Sequence, residues 1–311
     1  MRTIENIEKI GDLGFYPVVS VGTFDGVHMG HSSVLKEVAS RATAKGGTAV
    51  VLTFDPHPQQ VIAPDTAPPL LTTKEEKLKL FALHGIHAAV VHPFTLEFSK
   101  SEPEEFVEKV LIDKIGVKEL VVGYNHAFGK GRRGVPQDLE LVGKRVGFEV
   151  IVVPPVFIAG QPVSSTRIRN LIAQGEIEKA SELLGRNYSL TAFVGGGKGI
   201  GRRLGFPTAN LKVNHSRKLI PRDGVYAVWV ILPEGRRAGV MNIGKHPSFG
   251  EGPQSIEVHL LEFNGDLYGL QIDVRIVARL RDEIRFMKER DLARQIEADV
   301  KAAAEILNTK P

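Results

Sequence analysis

A chain of 311 residues, 42% hydrophobic and 24% charged, has an ordinary globular composition and is long enough for two domains with separate cores. It has no cysteine, which excludes disulfides and thiolate chemistry, and no apolar run of membrane-spanning length. The net charge of +4 suits small anionic ligands as well as nucleic acid, and Met1–Gly11 lacks an apolar core of signal-peptide length, so the chain is read as cytoplasmic.

In chain order, apolar strand-like runs fall at Val18 to Val21, Thr48 to Phe54, Ala88 to His92, Glu119 to Gly123 and Glu149 to Val153. Between them lie helix-like stretches at Ser32 to Lys45, Lys74 to His84, Glu104 to Ile115 and Gln137 to Val146, with Pro103 and Pro136 placed to open the last two. Nearly all-apolar strands alternating with helices predict a Rossmann-like α/β domain, a parallel sheet covered on both faces. Such sheets bind ligands beyond the carboxyl ends of their strands. Four chemistry-bearing stretches fall there: Gly22 to His31, Thr53 to Pro58, Gly123 to Gly134, and Val163 to Arg169.

Ser165 to Gly175 and Glu176 to Gly185 read as two short helices, after which successive strands take over. The boundary is placed near Gly185, giving domains 1–185 and 186–311. Strand candidates in the second are Tyr188 to Val194, Val225 to Leu232, Arg237 to Ile243, Ser255 to Phe263 and Gln271 to Leu280. Glycine-rich turns between them, with Asn264-Gly265-Asp266 as a hairpin signal, predict a small antiparallel barrel. A terminal helix, Arg290 to Leu307, would pack on it through Leu292, Ile296, Val300 and Ala303 or Ala304.

The organising stretch is Gly22-Thr-Phe-Asp-Gly-Val-His-Met-Gly-His31. A strand, a turn containing Gly26 and Gly30, and a helix start bring backbone N–H groups and a positive helix end to one spot, which suits phosphate. His28 and His31, three apart, share a face there and can donate to phosphate oxygens. A zinc pair would need further ligands. In the second half, Gly195 to Arg202 and Arg203 to Asn210 place glycines beside cations, as a phosphate-cradling loop does, without P-loop or dinucleotide spacing.

The first motif resembles the nucleotidylyltransferase signature, and its longer form resembles the adenylyltransferase half of bifunctional bacterial FAD synthetases. Val163-Ser-Ser-Thr-Arg-Ile-Arg169 is similar to a second motif of that family, with Val163 for Ile, and Leu71-Thr72-Thr73 with Glu75 and Lys77 to a third. Gly205-Phe-Pro-Thr-Ala-Asn210 resembles the riboflavin kinase motif, and Asn242-Ile243-Gly244 and Pro247-Ser248-Phe249 match further family stretches, Ser248 replacing the commoner Thr. The resemblance implies riboflavin phosphorylation by ATP in the barrel and transfer of AMP from ATP to FMN at the sheet, giving FAD and pyrophosphate.

It further implies ATP contacts at the sheet from Gly22, Phe24, Asp25, Gly26, His28, His31, Asn125, Ser164, Ser165 and Arg169, with His28, His31, Ser164 and Arg169 stabilising charge. In the barrel it implies ATP contacts from Gly197, Lys198, Gly201, Arg202, Gly205, Pro207, Thr208 and Asn210, with Mg²⁺ held by Thr208 and Asn210 and Glu257 as base. Candidate flavin contacts are Asp55, His57, Asn125, Glu257 and Arg281. Riboflavin, FMN, FAD and ATP are the expected partners, with no nucleic acid or membrane. A tRNA-directed enzyme would need a lysine-rich signature and an anticodon domain, and a flavin-storage protein would not need both sets of ATP motifs; a single-activity nucleotidylyltransferase is a third reading.

Overall fold

The apolar runs of the first half become strands of one parallel sheet. Its elements in chain order are β1 (Arg2–Glu5), β2 (Pro17–Val21), α1 (Met29–Ala44), β3 (Thr48–Phe54), α2 (Pro58–Ile62), α3 (Lys74–Leu83), β4 (Ala88–His92), α4 (Pro103–Phe106), β5 (Glu119–Gly123), α5 (Pro136–Val146) and β6 (Glu149–Val153). A ribbon of β7 (Phe157–Ile158) and β8 (Gln161–Pro162) follows. The computed structural model describes residues 1–126, 135–196, 200–244 and 254–309, without the side chains of Ile200 and Arg202.

At β2, β3, β4 and β5 both faces of the sheet are buried, which is why these strands read as continuous apolar runs. Val19, Val21, Val50 and Leu52 enter one core, while Val18, Ala49 and Val51 enter the other beneath Val34, Leu35 and Val38 of α1. Strand order is β1-β4-β3-β2-β5-β6, so the chain reverses direction across the sheet between β2 and β5. These two strands pair at Val18–Glu119 and Val19–Leu120, and the Ser20 hydroxyl then donates to Val121 O at 2.7 Å. A reversal point of this kind opens a crevice at the carboxyl ends, where the Gly22–His31 turn emerges.

Two local features differ from expectation. A sixth strand, β1, pairs in parallel with β4 at the sheet edge; only Ile4 of its residues is buried, so it carries no apolar run to recognise. The helix expected from Glu104 to Ile115 opens at Pro103 as α4 but continues as a π-helical stretch, Val107–Ile115, ending at Gly116 with φ 70°.

The second half contains α6 (Ser165–Gln174), α7 (Ile177–Leu184), β9 (Tyr188–Gly195), α8 (Ile200–Arg203), β10 (Thr208–Val213), β11 (Gly224–Leu232), β12 (Gly235–Gly244), β13 (Ser255–Leu260), β14 (Gln271–Arg281) and α9 (Glu289–Ile306). Contacts divide the chain into Met1–Ser165 and Thr166–Pro311, with α7 packed on β9 and β14 through a buried face of Ile177, Ala180, Leu183 and Leu184. In this division α7 and nearly all of α6 belong with the barrel, whereas the sequence reading sets both with the sheet domain.

The barrel is closed and antiparallel, in the order β10-β13-β12-β11-β14-β9. Closure needs β10, which is not among the strand candidates read from the sequence. The expected hairpin at Asn264 to Asp266 does not form. β13 ends at Leu260, Glu262 turns with φ 50°, and Gly269 N donates to Val194 O, so the connection crosses to the β9 side before β14 begins. Accordingly β13 pairs with β10 and β12, and β14 with β11 and β9. Helix α9 lies on the outer face, burying Val300, Ala303 and Ala304 against Val225, Ala227, Ala238 and Val240; Ile296 is partly buried there, and Leu292 lies outside this cluster.

Candidate active sites

The turn after β2 is strained and heavily braced. Phe24 and Val27 both have positive φ, 50° and 37°, in a region that branched and bulky residues avoid, and Gly26 has φ 85°. Burial of Phe24 and Val27 offsets that cost: Phe24 stands edge-on to Phe81 at 5.5 Å and to His31 at 5.3 Å. Asp25, also buried, accepts from Thr72 N at 2.9 Å, from Leu71 N at 3.0 Å and from the Thr72 hydroxyl at 3.2 Å. Thr72 Oγ1 in turn accepts from Gly26 N at 3.0 Å. The carboxylate therefore clamps the turn to the Leu71–Thr73 loop, where Thr73 and Glu76 form a reciprocal cap on α3.

His28 caps α1, its Nδ1 accepting from His31 N at 3.3 Å, which puts the proton of the neutral ring on Nε2. The rings of His28 and His31 stack at 3.7 Å with 14° between their planes. Gly30 makes room for this arrangement, since a Cβ there would press on the His28 ring at 3.2 Å. The pair thus stands at the positive end of a sixteen-residue helix, beside the sheet's reversal point. Gly22 extends the ladder, donating to Leu52 O at 3.0 Å.

From the far end of the sheet domain, the Ser165 hydroxyl donates to Asp25 O at 2.9 Å, and half-buried Ser164 precedes it. Residues 140 positions apart are therefore brought together. Asp55, joined to Pro56 by a cis peptide, and His57, which caps α2 by accepting from Gln59 N at 3.1 Å, follow β3. Asn125 is exposed just after β5. Arg169 lies on α6, in the second unit. The basic run of residues 130–133 falls outside the described residues.

In the barrel, β10 pairs antiparallel with β13 so that Thr208 faces His259 and Asn210 faces Glu257, while Asn242 of β12 flanks Glu257 on its other side. Paired residues share a face, so Thr208, Asn210, Asn242 and Glu257 form one polar patch. The Thr208 hydroxyl donates to Glu257 Oε2 at 3.1 Å. His259 Nδ1 donates to Pro207 O at 2.8 Å and its ring meets Phe206 edge-on at 5.6 Å, holding the start of β10. Gly205 has φ 88°, and a Cβ on Gly201 would strike Phe206 O at 2.3 Å, so both glycines are required by the turn. Arg202 sits in α8; Gly197, Lys198 and Pro247 to Phe249 lie outside the described residues.

Arg281 is engaged within the protein. Its Nε and Nη2 donate to Asp299 at 2.9 and 2.7 Å, and Nη1 donates to Asp282 O at 2.9 Å, mooring α9 to the end of β14. Among the described residues, no group of three or more His, Cys, Asp or Glu could hold a metal. A cation beside Thr208, Asn210 and Glu257 would therefore depend on oxygen donors from a bound phosphate chain, as Mg²⁺ commonly does.

A model of the FAD synthetase family matches residues 16–167, and a riboflavin kinase model matches 184–307. The bifunctional riboflavin kinase/FMN adenylyltransferase of Listeria monocytogenes is 37% identical over 91% of this chain and 90% of its own length. That of Pseudomonas fluorescens is 36% identical over 92% and 91%, and that of Escherichia coli K12 34% identical over 100% and 99%. A solved structure from Streptococcus pneumoniae, described as a macrolide-efflux protein, aligns over 97% of this chain and 99% of its own with a TM-score of 0.86 and 30% identity. Among the described residues here, no helix is long and apolar enough to cross a membrane. With both halves matched in order and full-length relatives on either side of 35% identity, the chain belongs to the bifunctional riboflavin kinase/FMN adenylyltransferase family.

Proposed function

We propose that this chain makes FAD in two steps, residues 186–311 phosphorylating riboflavin and residues 1–185 adenylylating the FMN formed. The observation that carries the reading is that each family signature folds into its own polar constellation: the stacked His28–His31 pair on a braced turn, and the Thr208–Glu257 contact on neighbouring strands.

In the first step the ribityl hydroxyl of riboflavin attacks the γ-phosphorus of ATP, its proton passes to Glu257, and ADP leaves. Glu257 lies within hydrogen-bond reach of Thr208, which orients the carboxylate. Thr208 and Asn210 would hold Mg²⁺ together with the ATP phosphates, supplying charge neutralisation during transfer. In the second step a phosphate oxygen of FMN attacks the α-phosphorus of ATP and the bond to pyrophosphate breaks. This needs positioning and charge stabilisation but no covalent enzyme intermediate. His28 and His31 donate to the phosphates, Ser164 supplies a hydroxyl, and Arg169 is assigned to the same step by resemblance. Asp25 and Ser165 serve this site by bracing the turn, as their hydrogen bonds support.

Incubation with riboflavin, ATP and Mg²⁺, followed by chromatographic resolution of the flavins, tests the reading. FMN appearing first and FAD after it is expected; FAD without an FMN requirement, or no new flavin, contradicts it.

A further inference from the structure

Lys77 is buried in the opening turns of α3, four residues beyond the Thr73 cap, where a cation opposes the helix dipole. Its ammonium has three protons and three acceptors: Thr23 O at 3.0 Å, Thr53 Oγ1 at 3.0 Å and Phe54 O at 3.4 Å. Those acceptors come from two separate segments, the turn after β2 and the carboxyl end of β3. The Thr53 hydroxyl also reaches Thr23 O at 3.3 Å. A single side chain therefore ties together two segments that border the crevice.

The charged groups bearing on this ammonium are Asp25 of the turn and Asp55 beyond β3. His28 and His31 are the other titratable side chains of the turn, and Glu76 on the same helix is committed to Thr73 N. Burial pushes the lysine down from 10.5 to about 8, with Asp25 and Asp55 pulling it back up. An apolar residue would fill the same space without that desolvation. An ammonium kept in so costly a place, with every proton directed at the scaffold of the phosphate turn, points to a use in that turn's chemistry.

We propose that Lys77 is a positioning residue for adenylyl transfer: it pins the Gly22–His31 turn to the end of β3 and sets a fixed positive charge behind the phosphate cradle, where negative charge accumulates as pyrophosphate leaves. This rests on the assignment of His28 and His31 to that reaction. The three acceptors of Lys77 all belong to the sheet domain, so riboflavin phosphorylation by the same molecule serves as an internal control.

The test follows kcat/KM for ATP in FAD formation from FMN between pH 6.5 and 9.5 (chosen as roughly 1.5 units either side of the lysine's titration), in the wild type, Lys77→Met, Lys77→Arg and His31→Ala. The free enzyme's ionisations govern kcat/KM. The wild-type value should therefore fall through about pH 8 as Lys77 loses its proton. Lys77→Met should lose about 100-fold at neutral pH, the cost of one misplaced transition-state donor, and lack that alkaline limb. Lys77→Arg should keep more activity and also lack the limb, because its guanidinium stays charged. A Lys77→Met enzyme within about threefold of wild type, against that 100-fold, overturns the proposal, as does an identical limb in the wild type and Lys77→Arg. If Lys77→Met does not fold, comparison of the wild-type and Lys77→Arg profiles decides. Full FAD formation by His31→Ala would overturn the underlying site assignment, whereas loss in His31→Ala with no effect at Lys77 removes the pin alone.

Discussion

Removing the Asp25 carboxylate should loosen the sheet domain by an amount that can be worked from its bonds. Leu71 N and Thr72 N both donate to it from a buried loop, at 3.0 and 2.9 Å, and Asp25 itself is 3% exposed. Asp25→Ala leaves those two N–H groups without their acceptor at about 1–3 kcal/mol each, so about 4 kcal/mol in all. For a unit of this size, each kcal/mol lowers the melting temperature by about 2–4 °C, which predicts a fall of roughly 8–16 °C. Asp25→Asn can keep an oxygen at the Oδ1 position, where most of the bonds converge, and should recover about half of that loss. Far-UV circular dichroism follows the helices of both units, among them α1, α3 and α5 of the sheet domain. Trp229, the only tryptophan, lies in β11 and reports the barrel by fluorescence. A circular dichroism transition in Asp25→Ala within about 2 °C of wild type, less than one kcal/mol by the same scale, would show that the clamp does not hold the turn. The Trp229 transition is expected to stay where it is.

The barrel offers a parallel test at His259. Loss of its donation to Pro207 O in His259→Ala should raise KM for ATP in the kinase reaction about fivefold, the worth of one ordinary hydrogen bond of about 1 kcal/mol. His259→Asn, whose amide nitrogen can stand where Nδ1 did, should recover most of that affinity, whereas His259→Gln should not; equal behaviour of the two amides would show that the bond to Pro207 does not set the turn.

The sheet was legible because burial on both faces leaves an unmistakable mark. Val50 and Leu52 serve one core while Ala49 and Val51 serve the other, so the middle of β3, Ala49 to Leu52, carries no polar position to confuse the pattern. β1 was not legible, since an edge strand with one buried side chain has no such signature. In the barrel, Asn264-Gly265-Asp266 looked like a hairpin because local turn chemistry carries no information about which strands become neighbours. The partner of β13 is set by closure through β10, a long-range fact.

The candidate sites divide in the same way. His28 and His31 are readable from spacing, and Thr208 and Asn210 from the motif resemblance, because each pair lies within one local segment. What the sequence concealed were the contacts between segments. Asp25, an ATP contact by resemblance, accepts hydrogen bonds from Leu71 and Thr72; Ser165 reaches back to Asp25; Arg281 is paired with Asp299. Lys77 matched a family stretch, yet the acceptors that give it a role lie on two other segments.

Two substitutions in one assay test the central claim, that each half of the chain performs its own transfer. Glu257→Ala, given riboflavin and ATP, should make neither FMN nor FAD, yet should convert supplied FMN to FAD at the wild-type rate. His31→Ala should stop at FMN in both experiments, because losing one phosphate donor costs about 3 kcal/mol in the transition state. Should either variant lose both activities together while remaining folded, or should neither lose its assigned step, the assignment of one reaction to each constellation fails.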